Sequence, residues 1–314
     1  VGAGALSGNT TGVNNTAVGA ARAGFNGGTL QSNTTGTSNA AVGAGALYSN
    51  TTASNNTAMG TLALYANTTG VENVALGSSA LRQSTTSTAN TAIGMSALYS
   101  NTTASNQTAV GYHAGYNTTG ANNTFLGAQA GTYVVATTSG TVNTIIGAFC
   151  RSTSATASGA MILGYDLSGE AGYTTLGQSA SDIRAQHGVA TWAAVSDERY
   201  KKDIVDSTVG LSFINDLTPR TFKYKTLGEL PETFRAYKEG STQVFKNSDT
   251  NHGFIAQEIK AAIDLHPEIK DGFRLWDERD DGGQEVAEAA LIPVLVKAIQ
   301  ELSAKNDALE ARLA

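Results

Sequence analysis

Along residues 1–180 one apolar position recurs at a fixed place. The residue just before a glycine is Val18, Val42, Met59, Leu76, Ile93, Val110, Leu126, Ile146, Leu163 or Leu176. The glycines themselves, from Gly19 to Gly177, are most often 17 residues apart, and a fixed period of that kind marks stacked structural repeats. Taking the residue before each glycine as the inward one predicts a short strand per rung. Four residues ahead of the glycine stands an amide: Asn15, Asn39, Asn56, Asn73, Asn90, Gln107, Asn123 or Asn143. Such a column is suited to side-chain hydrogen bonding from rung to rung. The intervening Asn-Thr-Thr-Gly and Asn-Thr-Thr-Ala segments carry turn chemistry, because their side chains bond to nearby backbone and tolerate positive φ. The pattern predicts a mainly β repeat stalk over 1–180, a β-roll or β-solenoid of 17-residue rungs. Ten rungs at about 4.8 Å each make a rod on the order of 50 Å long.

Each rung offers few large apolar groups, for instance Val42, Ala46 and Leu47. That is little burial against the entropy of ordering 17 residues. Three chains sharing one central core would bury those residues more fully, so the stalk is expected to be a homotrimer.

After residue 180 the 17-residue pattern stops, and 181–195 reads as a linker. Over 196–290 the pattern is that of a small α+β domain. It has a short helix at 209–217 closed by Pro219, a strand at 220–224, a polar loop or hairpin at 226–250, and a strand at 252–256 feeding a helix at 257–263. The last segment, 291–314, reads as a coiled-coil helix. Ile292, Leu295, Ile299, Leu302, Asn306, Leu309 and Leu313 follow alternating spacings of three and four. Asn306 falls at an a position, where a buried amide costs stability and fixes register.

Charge follows the same division. Six charged residues lie in 1–180, and 40 of the 46 lie beyond, giving the net charge of -6 to the C-terminal part. No basic cluster interleaves with aromatics, which argues against nucleic acid. The longest apolar run, 289–296, is too short to insert across a membrane. The chain opens in mid-pattern at Val1-Gly2-Ala3-Gly4, so we expect the C-terminal portion of a longer protein. Cys150 is the single cysteine and reads as a small buried hydrophobe. Glycosidase chemistry needs paired carboxylates, and the stalk offers Glu72, Asp166 and Glu170 alone. A threonine array matched to ice is disfavoured because the Thr-Thr pairs fall in the loop segments. His252 and His266 lack ligand neighbours at helical spacing, and 277–283 lacks the full calcium-loop pattern. No cofactor and no metal are expected.

The sharpest change in the chain falls at Ser196-Asp197-Glu198-Arg199-Tyr200-Lys201. Two readings of it stand open. Ser196 is either a helix N-cap ahead of a solvated charge run, or a hydroxyl nucleophile with Lys201 as its amine base. Positions five apart share no helix face, so the pair would meet across a turn.

Further motifs follow in order: Leu217-Thr218-Pro219, Phe222-Lys223-Tyr224, Gly253-Phe254-Ile255-Ala256-Gln257-Glu258, Leu291-Ile292-Pro293-Val294-Leu295 and Ala298-Ile299-Gln300-Glu301-Leu302. Together with Ser196-Asp197-x-Arg199-x-Lys201 they resemble the intramolecular chaperone, or peptidase S74, domain at the C-terminus of phage endosialidases and tail fibres. The repeats ahead of them resemble the shafts of phage tail fibres and the β-roll heads of trimeric bacterial adhesins. The resemblance implies a virion protein made in the host cytoplasm and attaching to a host receptor or glycan. Its C-terminal domain would drive trimerisation and then cut before Ser196. Ser196 would be the nucleophile, Lys201 the base and Val195–Ser196 the bond, in a single-turnover autoprotease with no other catalysis. The 226–250 insert is longer than the family pattern leads one to expect. The alternative is an adhesin head that binds without proteolysis. An adhesin of that class is expected to end in a membrane-anchoring β-domain, whereas this sequence ends in a polar-faced helix.

Overall fold

The computed structural model describes residues 2–20, 27–132, 138–189, 191–194, 196–269 and 273–313. The chain divides into two compact units, residues 1–197 and 198–314.

The first unit is a β-solenoid. Eight successive coils each contribute one three-residue strand: β1 (Thr16–Val18), β2 (Ala40–Val42), β3 (Thr57–Met59), β4 (Val74–Leu76), β5 (Thr91–Ile93), β6 (Thr108–Val110), β7 (Thr124–Leu126) and β8 (Thr144–Ile146). A short strand β9 (Arg151–Ser152) follows, then β10 (Met161–Tyr165), β11 (Ser168–Gly169) and β12 (Tyr173–Gln178). Strands β1 to β8, β10 and β12 stack in parallel, with equivalent residues of every coil in register. The period of the glycines has a steric cause. At Gly94 the backbone is left-handed (φ 128°), and a Cβ there would collide with the carbonyl oxygen of Gly111 on the next coil. After β12 the chain folds back as β13 (Ser181–Gln186), antiparallel to β12, and then β14 (Ala193–Ala194), antiparallel to β13. The segment 181–195, expected as a linker, therefore begins as an antiparallel extension of the sheet.

The direction of the strands corrects the sequence reading. A three-residue strand points one side chain inward, and it is the middle one: Ala41, Ala58, Ala75, Ala92 and Ala109 are fully buried. The larger residue before each glycine points outward, leaving Val18, Met59, Ile93, Leu126 and Leu163 exposed. Strand alternation sets the direction: the middle position is inward whether it holds alanine or, in the later coils, Phe125, Ile145 and Ile162. The interior is completed by Ala46 with Leu47, Ala63 with Leu64, Ala80 with Leu81 and Ala97 with Leu98, all fully buried. Each chain thus closes its own core, and the expected central core shared among three chains is not needed to bury these residues. Cys150 is wholly buried, and burial pushes its thiol pKa up.

Two amide ladders run beside this core. In the first, Asn56 donates to the Oδ1 of Asn39, Asn73 to that of Asn56 and Asn90 to that of Asn73, at 3.1–3.3 Å. In the second, built from the Asn of the Asn-Thr-Thr segments, Asn50 donates to Asn33 and Asn67 to Asn50. The first ladder fails at Gln107, whose buried side-chain nitrogen and oxygen find no hydrogen-bond partner. The extra methylene carries the amide past the row. Gln107→Asn is therefore expected to raise the thermal midpoint of the stalk, by a stabilisation on the order of 1–3 kcal/mol, the usual cost of a buried polar group left unpaired. An unchanged or lower midpoint in a calorimetric scan would show that the break costs nothing.

The second unit is a small α+β fold. Helix α1 (Leu211–Asp216) precedes the antiparallel pair β15 (Arg220–Phe222) and β16 (Asn251–Gly253). Helix α2 (Ala256–Asp264), the hairpin of β17 (Trp276–Glu278) and β18 (Gln284–Val286), and α3 (Ile292–Leu313) complete it. A 3-10 turn, Glu288–Leu291, runs straight into α3, so the C-terminal helix spans 288–313. Phe213, Ile259, Ile263, Leu275, Leu291 and Val294 fill the core. Glu301 on α3 accepts from the backbone N–H of Leu211 at 2.9 Å. It thereby satisfies an N-terminal donor of α1, whose own preceding residue, Gly210, supplies no side-chain cap. The insert 226–250 holds one bridge, Thr226 to Val244, and a 3-10 turn closed by a capping box between Thr226 and Glu229.

Candidate functional site

Ser196 lies at the end of the first unit and Lys201 near the start of the second, on either side of the division between residues 197 and 198. Val195, the other side of the expected scissile bond, lies outside the described residues. Ser196 is exposed and Asp197 half-buried. The single 3-10 turn after them, Glu198–Tyr200, is closed by a hydrogen bond from the N–H of Lys201 to the carbonyl of Glu198 at 2.9 Å. The residue immediately before that turn is Asp197, so Ser196 is not placed as its N-cap. Lys201 and Lys202 are both exposed. Beyond them 201–208 runs without regular structure, leaving Ile204 (63%) and Val205 (85%) exposed, as is Tyr200 (76%).

The other motifs hold the domain together. Leu217 and Phe254 pack on the core that contains Leu291 and Val294. Arg220, at the start of β15, makes a two-pronged ion pair with Glu258 on α2, with distances of 2.8–3.2 Å. That hydrogen bond holds the Glu258 carboxyl below its usual pKa. Both partners are well exposed, so the pair orients the two segments more than it stabilises them.

One titratable cluster was invisible in the sequence. His266, nearly buried, hydrogen-bonds Asp216 at the end of α1 through Nε2 (2.8 Å) and Glu268 through Nδ1 (3.0 Å), with its ring edge-on to Phe213. The hydrogen bond to Asp216 raises its pKa above the ordinary value of 6.5, aided by Glu268 and opposed by burial. The raised pKa means that the folded unit binds the proton more tightly than the unfolded chain does. Its stabilisation is complete below about pH 6.5 and is lost as pH rises through the folded-state pKa. The midpoint of the α+β unit is expected to fall as pH rises above about 6.5 and through the raised folded-state pKa, and His266→Asn should flatten that slope. An equal slope in the variant would assign the pH dependence to other groups.

The stacked coils and the mixed unit after them define a β-solenoid stalk with a C-terminal α+β domain. Residues 196–266 match the family model Peptidase S74, the chaperone of endosialidase. The match begins at Ser196 and takes in every motif up to Glu258, so a segment similar to the S74 chaperone follows the β-solenoid directly, as the sequence motifs indicated. No curated protein and no solved structure matches the chain. None of the described helices is long and apolar enough to cross a membrane.

Proposed function

We propose that the chain is part of a phage tail fibre or tailspike, carried on the virion and attached to a host surface receptor or glycan. Its S74 domain acts as an intramolecular chaperone, gathering three copies, guiding the stalk to fold and then cutting itself off. The observation that carries this reading is the pairing of the S74 match with the apolar surface of α3. Ile292, Leu295, Ile299, Leu302, Leu309 and Leu313 are 42–88% exposed, while Val294 and Ala298 face the domain core. A helix whose heptad positions are all outside its own fold is built to pack against copies of itself. Ser196 serves as nucleophile, Lys201 as base and Val195–Ser196 as the bond. The lone carboxylates of the stalk give no support to a glycan-cutting enzyme, and the S74 match favours this reading over a bacterial adhesin head.

Sedimentation of the full chain tests the assembly. A trimer is expected for the wild type, and a shift to monomer for Ile299→Asp with Leu302→Asp, both at exposed positions where the fold of one chain is unaffected. A monomeric wild type would refute the reading.

A further inference from the structure

The outward residue of each coil lies outside the buried core of one chain, yet it is never polar. From Val18 through Val42, Met59, Leu76 and Ile93 to Leu176 the ten positions lie in one register-aligned row. Val18, Met59, Ile93, Leu126 and Leu163 keep 37–48% of their surface exposed, and no strand of this parallel stack carries a charged residue. Selection for solubility alone would place polar residues there, as it does in the first strand position, where Thr57, Thr91, Thr108, Thr124 and Thr144 recur.

We propose that this row is the surface through which the stalks of three copies meet along a common axis, an inference that rests on the trimer reading above. The width of the row decides the occupant. It is one large side chain per coil across, beside a first strand position that is threonine in most coils, too narrow to cover itself in a flat face-to-face pair. Around a three-fold axis, however, each coil brings three identical side chains together and closes one apolar layer. Identical copies also meet there without like-charge repulsion.

Single cysteines in the full chain test the assignment, because the native Cys150 is buried. Ile93→Cys and Leu126→Cys are each expected to form one interchain disulfide per trimer under copper–phenanthroline oxidation. Thr86→Cys, exposed on a turn away from the row, should form none. Circular dichroism matching the wild type verifies that each variant is folded. A trimer by sedimentation in which neither Ile93→Cys nor Leu126→Cys cross-links overturns the axial row and leaves the trimer standing. Cross-linking at one of the two alone overturns it as well, since parallel copies place every row position against its own counterpart. A monomer overturns both the row and the trimer reading.

Discussion

Full chains carrying Ser196→Ala are expected to remain intact under conditions in which the wild type, once trimeric, yields fragments of 195 and 119 residues. In the proposed reaction the Ser196 hydroxyl oxygen adds to the Val195 carbonyl carbon while Lys201 takes the hydroxyl proton. The carbon–nitrogen bond then breaks, the amine of Ser196 takes up a proton, and the resulting ester is hydrolysed by water to the Val195 carboxylate. Each chain reacts once. A lysine can act as base only where its neutral form is populated, which takes a desolvated or cation-crowded setting. In one chain Lys201 and Lys202 are exposed, so that setting has to come from packing against neighbouring copies, with the apolar Tyr200, Ile204 and Val205 beside them to be covered. Cleavage is therefore expected to depend on assembly. Lys201→Ala should block it, and Ile299→Asp with Leu302→Asp should stay uncut because it stays monomeric. Denaturing electrophoresis of the four proteins side by side decides the matter. A wild-type trimer seen at full length alone would refute the mechanism, as would undiminished cleavage in Ser196→Ala.

How much of this was legible beforehand differs between the two units, for physical reasons. In the stalk every coil repeats one local solution, so Gly94 and its equivalents announced the strand ends, and Asn39, Asn56, Asn73 and Asn90 announced the ladder. Which face was inside was misread. Hydrophobicity ranks Val42 above Ala41, while the alternation of a three-residue strand turns its middle residue inward whatever its size, Ala41 in one coil and Ile145 in another. The second ladder through Asn33, Asn50 and Asn67 was hidden because the same residues read equally well as turn formers. In the α+β unit the helices fell close to where their patterns placed them, at Leu211–Asp216 and Ala256–Asp264 for example, while the hairpin of β17 and β18 was not anticipated. Contacts made by tertiary folding were not visible at all. His266 meets Asp216 fifty residues away, and Glu301 reaches Leu211 from ninety away, and neither separation leaves a periodic trace. The roles proposed for Ser196 and Lys201 rest on the order of the surrounding motifs, since the spacing of the two alone admitted two readings.

The stalk's least tolerant core position is expected to be Phe125. Coils from Leu30 to Leu98 fill the same interior place with leucine, but the next two coils put Gly115 and Gly131 there. The space is taken by Phe125, which stands in the row otherwise held by Ala109 and its equivalents. Its ring occupies the sites where a Cβ on either glycine would lie. Both glycines are left-handed, with φ of 59° and 76°, but so are Leu98 and its equivalents near 50°, so it is the ring and not the backbone angle that keeps a side chain out. Removing the ring leaves a void that the coils have nothing to fill, because the backbone ladders above and below hold them at fixed spacing. Phe125→Ala should consequently cost about 3–5 kcal/mol, the full price of a buried aromatic whose site cannot collapse. In a stack stabilised by nearest-neighbour contacts the loss concentrates at β6 to β8. Denaturant unfolding at fixed protein concentration, so that assembly does not shift the midpoint, measures it. Hydrogen exchange should show the coils around β7 opening first. A loss below about 1 kcal/mol would mean that neighbouring coils close over the gap, against the rigid spacing argued here.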